Sequence, residues 1–211
     1  MAGDSTNIKT NDLIFVYPLQ ESLYINVTNQ CPNACVFCIR HSRNGVGYNL
    51  WLEREPTAME IIAAIGDLKD FKSIVFCGYG EPLLRPEVVI AVAAALKKRI
   101  SSERRCITIR LNTNGLADLF LDYDILPQLQ GMIDSVSISL NAHNPEEYQK
   151  LTQSKYGEQA FTAVLNFTRR STLYIPKVII TAVRYPGADL AAVSKITEAL
   201  GVEFRIREYQ A

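Results

Sequence analysis

The chain has 211 residues, 48% of them hydrophobic, which is enough for one sizeable core, and we expect a single domain over residues 1–211. Its 22 Lys and Arg balance 22 Asp and Glu, so the formal net charge of zero predicts no footprint for nucleic acid or anionic membrane. We expect a cytoplasmic protein without a membrane segment, because the N-terminus lacks the order of a signal peptide and every apolar run is short. In a reducing compartment, five cysteines favour metal or redox chemistry over disulfides.

Short β-rich segments alternate with helical patterns along the whole chain. An N-terminal extension, residues 1–20, contains a candidate antiparallel strand at residues 14–17, before the first main strand at 22–28. Thr57 and Glu60 have the spacing of a capping box and predict the start of a helix.

The next two strands are each followed by a helix. The second strand is predicted at residues 73–77 and precedes a helix that Pro86 opens. The third strand is predicted at residues 107–112, and the pattern after it predicts a helix over 116–129.

The last part of the chain repeats this alternation. The fourth strand, residues 135–140, precedes a helix that Asn144 caps, and a further helix is predicted over 156–170. The fifth strand, 177–183, precedes a helix from Asp189 to Gly201, and residues 203–208 form the sixth. Six such alternations predict an α/β fold with parallel strands and right-handed crossovers.

Most of these strands have one polar face, which is unusual because parallel strands covered on both sides are normally apolar throughout. We therefore predict an open, partial (β/α)6 barrel with helices outside and a polar interior whose gap admits substrate. A doubly wound sheet with polar edge strands is the alternative. The polar positions are Tyr24, Asn26 and Thr28; Thr108, Arg110 and Asn112; Ser137, Ser139 and Asn141; and Glu203, Arg205 and Arg207.

Three cysteines follow the first main strand in the segment CPNACVFCIRH. Chemistry in parallel α/β folds gathers at the carboxyl ends of strands, and the C-x-x-x-C-x-x-C spacing lets one loop present three thiolates. Three ligands on a four-iron cluster leave one iron open, whereas His41 would complete a closed Cys3His zinc site. From the loop alone, Cys31, Cys35 and Cys38 suit either centre.

The segment CPNACVFC resembles the signature of the radical S-adenosylmethionine (SAM) superfamily, in which an aromatic residue, here Phe37, precedes the last cysteine. The resemblance implies a partial TIM-barrel core. It also implies that Cys31, Cys35 and Cys38 ligate a 4Fe-4S cluster whose remaining iron is chelated by the amino and carboxylate groups of SAM. Phe37 would then pack against the adenine side.

A second motif, CGYGEPLLRPE, lies at the end of the second strand. Gly78 and Gly80 allow close approach of the backbone to a ligand, and Glu81 offers an anionic acceptor that suits an ammonium group. A tight turn with an exposed acid is the alternative. The superfamily binds the SAM amino group with a Gly-Gly-Glu-Pro motif here; Tyr79 departs from it, so its ring must point away from the cofactor or cover it.

Later strand ends match the superfamily less specifically. By resemblance, their polar groups contact the ribose and the methionine carboxylate of SAM, with Arg184 as the candidate for the carboxylate. Each alone could equally be a turn former, a surface cation or a satisfied polar group. The candidates are Asn112, Asn114, Ser139, Asn141 and Arg184.

A narrower resemblance is to the short radical SAM proteins called TatD-linked, on the compact size and the segments SLYINVTNQCPNACVFCIR and FCGYGEP. The resemblance implies reductive cleavage of SAM and hydrogen abstraction from an unknown substrate, with a protein or peptide among the candidates. It implies an electron donor such as flavodoxin or ferredoxin. No catalytic residue beyond the cofactors is identified.

Other functions are weighed against this one. Glycyl-radical-enzyme activases are likewise short and must admit a protein loop. GYGEPLL is also similar to RNA methyl synthases, but those use an additional C-terminal cysteine that this chain does not contain. A hypothesis of a different class is a non-catalytic zinc-binding module of Cys31, Cys35, Cys38 and His41, which makes no use of Glu81.

Overall fold

The computed structural model describes residues 14–42 and 45–210. Their seven strands form one sheet in which the spatial order follows the chain order. Strands β2 to β7 are parallel, and β1 pairs antiparallel with β2. The strands are β1 (Val16–Leu19), β2 (Ser22–Ile25), β3 (Ser73–Phe76), β4 (Thr108–Thr113), β5 (Ser135–Ser139), β6 (Lys177–Arg184) and β7 (Glu203–Glu208).

Helices connect the parallel strands. Because the strand order never reverses, right-handed crossovers place the helices on one face of the sheet, as in a barrel and unlike a doubly wound sheet. The sheet is open, which confirms the predicted partial barrel. The helices are α1 (Ala58–Ala64), α2 (Pro86–Ser102), α3 (Ala117–Leu121), α4 (Leu126–Leu129), α5 (Pro145–Thr152), α6 (Gln159–Tyr174) and α7 (Leu190–Ala199).

Two predicted helix starts are confirmed by their caps. The Thr57 side chain accepts from the Glu60 backbone N–H, and the Glu60 carboxylate accepts from the Thr57 N–H, so both halves of the capping box form. At α5, the Asn144 side chain accepts from the Glu147 N–H, and Pro145 occupies the first helical position.

Several predicted segments differ from the structure: the strand expected over 22–28 ends at Ile25, and the helix expected over 156–170 spans Gln159–Tyr174. The helix expected over 116–129 is split into α3 and α4, because Asp122 adopts a left-handed conformation with φ 57° and Asp124 Oδ1 accepts from the Leu126 N–H. Asp favours such local turns over helix interiors. The antiparallel strand begins at Val16, two residues later than expected.

The two faces of the sheet differ in composition. On the helix-covered face, alternate residues such as Ile25, Phe76, Leu111 and Ile138 belong to the main apolar core. The polar positions of the same strands therefore lie on the opposite face, here called the open face. None of the helices in the described part of the chain is long and apolar enough to cross a membrane.

A smaller apolar cluster covers one end of the open face. Tyr17, Leu50 and Tyr79 form its buried centre. Tyr17 stacks on Tyr24 across the β1–β2 pair, with 5.3 Å between ring centroids, and Asn26 Nδ2 donates to the Leu50 carbonyl at 2.7 Å. The segment around Leu50 thus lies over β2, next to the loop that carries the cysteines.

Candidate functional site

The cysteine loop, residues 29–42, follows β2 and is attached to the chain on two sides. On one side the Glu81 N–H donates to the Gln30 carbonyl at 2.8 Å. On the other, its backbone bonds to the end of α5 and the turn after it, which fixes the loop across the carboxyl edge of the sheet. These bonds are Ala34 N to Thr152 O, Val36 N to Leu151 O and Lys155 N to Pro32 O, at 2.9 to 3.0 Å.

The three loop cysteines are partly buried and lie near one another. Burial raises the pKa of the Cys31 thiol to about 11, and the nearby Glu81 carboxylate adds to this effect. Burial also raises the pKa of Cys35 to about 12, with further contributions from Cys31 and Cys38. Three neighbouring thiolates would repel one another in this partly dry place, and a bound metal centre supplies the positive charge that stabilises them.

One cation already stands beside the thiols. The Arg40 guanidinium donates to the Asn33 carbonyl at 3.2 Å, inside the loop, and its charge lowers the pKa values of Cys31 and Cys35 against the effect of burial. The sequence analysis missed Arg40, although its position two residues after Cys38 was a signal.

His41, the fourth ligand of the zinc hypothesis, is exposed and ends a short 3-10 helix, Ile39–His41. Among residues 14–42 and 45–210, no group of three or more His, Cys, Asp or Glu side chains converges to hold a single metal ion, and this includes the three loop cysteines with or without His41. A four-iron cluster makes a different demand from zinc, because each thiolate binds a different iron.

Glu81 lies at the carboxyl edge of β3 and is only 3% exposed. Its Oε1 accepts from the Leu83 N–H at 3.1 Å and from Thr113 Oγ1 at 2.8 Å, and its Oε2 accepts from the Asn114 N–H at 2.7 Å. Burial raises the Glu81 pKa to about 7, although these hydrogen bonds act in the opposite direction. The exposed acid of the alternative hypothesis is therefore wrong.

Asn114 joins the two motifs. Its backbone N–H bonds to Glu81, its Oδ1 accepts from the Leu116 N–H at 3.0 Å, and its Nδ2 lies 3.9 Å from Cys31 Sγ, within reach of a hydrogen bond to sulfur. Motifs fifty residues apart in sequence thus meet through one residue at the end of β4, which contacts one motif by its backbone and the other by its side chain. Thr113, a polar residue of the same strand end, completes this contact through its hydroxyl.

The two glycines of the second motif are required by packing within the chain. A Cβ on Gly78 would lie 1.9 Å from Asn26 Oδ1, and one on Gly80 would lie 2.4 and 2.5 Å from the carbonyl oxygens of Thr28 and Gln30. The sequence analysis assigned this closeness to a ligand, whereas in the structure the near neighbours are the β2 end and the cysteine loop.

Tyr79, the residue that departs from the superfamily motif, is packed in the smaller apolar cluster. Its ring meets Trp51 edge-on with 5.2 Å between centroids, and the side chain is 9% exposed. The sequence left open whether this ring points away from the cofactor or covers it. In the structure the ring packs against the segment that follows the cysteine loop, which contributes Leu50 and Trp51.

Phe37 extends the loop toward the other edge of the sheet. Its ring lies 5.9 Å from that of Tyr185, after β6, and Tyr185 lies 5.1 Å from Tyr209, after β7. The three rings form an aromatic row from the cysteine loop to the last strand. Its two tyrosines were missed because they have no motif of their own.

The remaining candidates lie at the ends of β4, β5 and β6. Asn112 and Ser139 are on the open face, and Asn112 Oδ1 is buried without a hydrogen-bond partner in the described structure. Asn141 is buried, and its Oδ1 accepts from the Val183 N–H at 3.0 Å. Arg184 points away from the open face by strand alternation, and on that other side its Nε donates to Glu208 at 3.1 Å.

A buried phenol from α5 lies beneath the loop. Tyr148 is fully buried, and its pKa is raised by burial and by the neighbouring Cys35. It is the largest of the fully buried side chains and thus fills the space between α5 and the cysteine loop. Its place on α5 gave no sign of this in sequence.

Comparison with known proteins agrees with this arrangement. The model of a family described as the radical SAM superfamily matches residues 25–196. A probable GTP 3',8-cyclase of Methanocaldococcus jannaschii is 29% identical over 194 residues, covering 89% of this chain and 58% of that protein. A probable dual-specificity RNA methyltransferase RlmN of Trichormus variabilis is 30% identical over 133 residues, covering 62% of this chain and 34% of the relative.

Solved structures resemble the fold. SuiB of Streptococcus suis, bound to the precursor peptide SuiA, matches 92% of this chain and 40% of its own length, with a TM-score of 0.65 and 17% identity. A radical SAM methyltransferase from Sphaerobacter thermophilus matches with a TM-score of 0.59 and 16% identity, covering 92% of this chain and 68% of that one. The chain thus spans 58% of the cyclase and 40% of SuiB.

Proposed function

The chain belongs to the radical SAM superfamily, a family of enzymes that use a 4Fe-4S cluster and SAM, and we propose that it cleaves SAM reductively to abstract hydrogen from a substrate at the open face. The observation that carries the proposal is the meeting of Cys31, Glu81 and Asn114 at one edge of the sheet. Cys31, Cys35 and Cys38 would hold the cluster: they share one loop, are partly buried, and supply the sulfur ligands that iron-sulfur clusters use.

The bound cofactors would supply the chemistry, which is one-electron cleavage of SAM to methionine and a 5'-deoxyadenosyl radical able to take a hydrogen atom from the substrate, with the electron from a donor such as flavodoxin or ferredoxin. The chain's own residues bind, orient and exclude water. Arg40 stabilises the thiolate form of the nearby cysteines by its charge.

Glu81 is suited to one further hydrogen bond. A carboxylate oxygen can accept about two, and Oε1 already accepts two whereas Oε2 accepts one, from Asn114. The remaining acceptor position on Oε2 would take the ammonium of SAM, and a cation there would keep Glu81 ionised. The backbone of residues 78–80 would lie alongside, as the superfamily motif requires.

Polar groups at later strand ends would contact the rest of SAM. Asn112, Ser139 and Asn141 would face the ribose, and Phe37 would cover the adenine side while Tyr185 packs behind it. A contact of Arg184 with the methionine carboxylate stays a prediction from the sequence; it requires Arg184 to leave Glu208, so we expect it to contribute little to SAM binding.

The substrate class follows only in part from the relatives: two are named for a nucleotide, GTP, and for RNA, and SuiB was solved bound to a precursor peptide. A protein or peptide substrate, the kinship with TatD-linked proteins and the single-domain organisation of residues 1–211 remain proposals. The glycyl-radical-activase alternative belongs to the same superfamily chemistry and needs a protein loop at the open face.

The deciding experiment is anaerobic reconstitution of the full chain with iron and sulfide, followed by reduction in the presence of SAM. We expect about four irons per chain, a broad brown absorption band and formation of 5'-deoxyadenosine. Cys35→Ala should lose the iron and the product, whereas Cys106→Ala, at an exposed cysteine outside the loop, should keep both. Full activity in Cys35→Ala would refute the assignment.

The zinc hypothesis makes a different prediction for the same samples. It expects a colourless protein with one zinc that is lost in His41→Ala. We expect His41→Ala to retain the iron content of the unchanged protein, because the proposed ligands are the three cysteines. Stoichiometric zinc that depends on His41 would favour the interaction module instead.

A further inference from the structure

Cationic side chains gather on the part of the open face that β4 and β7 supply. Strand alternation places Arg110 of β4 and Arg205 and Arg207 of β7 on this face, since Leu111 and Phe204 beside them pack with the main core. The arginines are also near one another: burial lowers the Arg110 pKa, and the charges of Arg205 and Arg207 lower it further.

Local carboxylates do not neutralise this charge. Among the described strand residues the acids are Glu203 and Glu208, and Glu208 pairs with Arg184 on the helix-covered side. Glu203 shares the open face and pairs with Lys177 at 2.8 Å and with Arg205 at 2.9 Å. In the described structure, Arg110 and Arg207 therefore have no acidic partner within 4.0 Å.

A half-buried guanidinium without a counterion raises the free energy of the folded chain, because it has lost hydration without gaining a partner. Two such groups that repel each other raise it further. Tyr24 of β2 faces the same space, because the strand register aligns it with Val75 of β3 and, through it, with Arg110. Burial raises the pKa of the Tyr24 hydroxyl, and the charges of Arg110 and Arg207 act in the opposite direction. Ser137 of β5 lies on this face too; its hydroxyl is buried and has no hydrogen-bond partner in the described residues. Such a group is expected to meet a ligand or water.

We propose that Arg110 and Arg207 form a subsite for an oxyanion group of the substrate, a phosphate or a carboxylate, on the open face of the sheet. Each guanidinium presents a planar fork of donors that suits two oxygens of such a group. Arg205 contributes less, because Glu203 already pairs with it. The proposal rests on the proposed function, since it assigns the open face to the substrate.

The test titrates the reconstituted full chain with inorganic phosphate and with malonate by calorimetry, at about 0.15 M ionic strength to suppress weak surface binding. We expect saturable binding of at least one probe, and the tighter probe indicates whether the substrate carries phosphate or carboxylate. Binding of neither probe, or binding that never saturates, would overturn the subsite.

Variants separate this site from general surface charge. Arg110→Gln and Arg207→Gln should each weaken the preferred probe about tenfold or more, and Arg205→Gln should weaken it less. Arg169→Gln, at an exposed arginine of α6 that bonds Asn166, is the matched control and should bind as the unchanged chain does. Arg207 lies on the edge strand, where a substitution disturbs the fold less. If Arg110→Gln does not fold, Arg207→Gln therefore provides the test.

Unaltered affinity in both Arg110→Gln and Arg207→Gln would refute the proposal. Formation of 5'-deoxyadenosine by the unchanged chain is measured on the same preparations. If anion binding depends on the arginines but SAM is not cleaved, the proposed function is wrong and the subsite is supported. If SAM is cleaved but anion binding does not depend on the arginines, the subsite is wrong and the proposed function is supported.

Discussion

At Glu81, both carboxylate oxygens accept hydrogen bonds from the chain itself, whereas on the open face the Ser137 hydroxyl and the Arg110 guanidinium find no such partner in the described structure. Both groups are polar and at least half buried. The difference shows that hydrogen bonds within the chain already fix the Glu81 region without a ligand. The polar groups of the open face, in contrast, remain available to bind one.

This contrast has an energetic meaning. A satisfied buried group contributes to folding, and its removal leaves partners unpaired, at a cost of about 1–3 kcal/mol. A group without a partner contributes little to folding, so its removal should be felt only in binding. Substitutions in the two regions should therefore separate stability from ligand affinity.

The largest loss of stability is expected for Glu81→Gln. An amide can replace one acceptor oxygen, but its NH2 group would face the N–H of Asn114 or the donors at Oε1. The free energy of unfolding should fall by about 1–3 kcal/mol, measured by urea denaturation of the full chain. An unchanged midpoint would mean that the Glu81 hydrogen bonds do not hold the loops together.

The unchanged chain and Glu81→Gln should also differ in how their stability depends on pH. Burial raises the Glu81 pKa to about 7 in the folded chain, whereas the carboxyl of the unfolded chain titrates near its usual value of 4.5. Between these two pH values the folded chain therefore binds more protons than the unfolded chain. The contribution of Glu81 to stability is therefore fully present below pH 4.5 and is lost as the pH rises through 7. The difference in unfolding free energy between the unchanged chain and Glu81→Gln should decrease over this range, and an increase would contradict the raised pKa.

Gly80→Ala should destabilise the same region by steric conflict. The added Cβ would meet two backbone carbonyl oxygens closer than 3 Å, and overpacking of this kind costs about 1–3 kcal/mol. Gly66→Ala is the matched control, because a Cβ there meets nothing within 4 Å. We expect Gly80→Ala to have a lower melting temperature than Gly66→Ala in thermal unfolding. Equal melting temperatures would show that the backbone around Gly80 can move enough to accommodate the added methyl group.

A smaller effect should distinguish a satisfied hydroxyl from an unsatisfied one. Thr113→Val removes the bond to Glu81 and the acceptor for the Gly115 N–H, at a cost of about 1 kcal/mol. Ser137→Ala removes a hydroxyl without a partner in the described chain and should change stability by less than about 0.5 kcal/mol. A larger loss of unfolding free energy in Ser137→Ala than in Thr113→Val would contradict the view that only the Thr113 hydroxyl contributes to folding.

The smallest effect is expected for Arg184→Gln. Its ion pair with Glu208 is exposed, so its loss should cost less than about 1 kcal/mol. We expect SAM to bind the reconstituted variant within about twofold of the unchanged chain, by equilibrium dialysis. A tenfold weaker affinity would instead support the carboxylate contact that the sequence analysis predicted.

Much of the fold could be predicted because its signals are local. The capping box of Thr57 and Glu60, the Asn144 cap and the period-2 polarity of the strands each depend on a few neighbouring residues. The split of the helix over 116–129 was missed because the left-handed Asp122 interrupts an otherwise helical pattern. The three-cysteine motif was equally readable, since its spacing lies within one loop.

The sequence by itself determined the alternation of strands and helices, the polar open face and the loop of three cysteines, because each is encoded by spacing along a short stretch of chain. Only the tertiary structure decided that Asn114 bridges Cys31 and Glu81, that Gly80 packs against Thr28, and that Arg110 and Arg207 share one space. These residues lie about thirty to one hundred positions apart in sequence. They depend on strand register and sheet curvature, which no local pattern specifies.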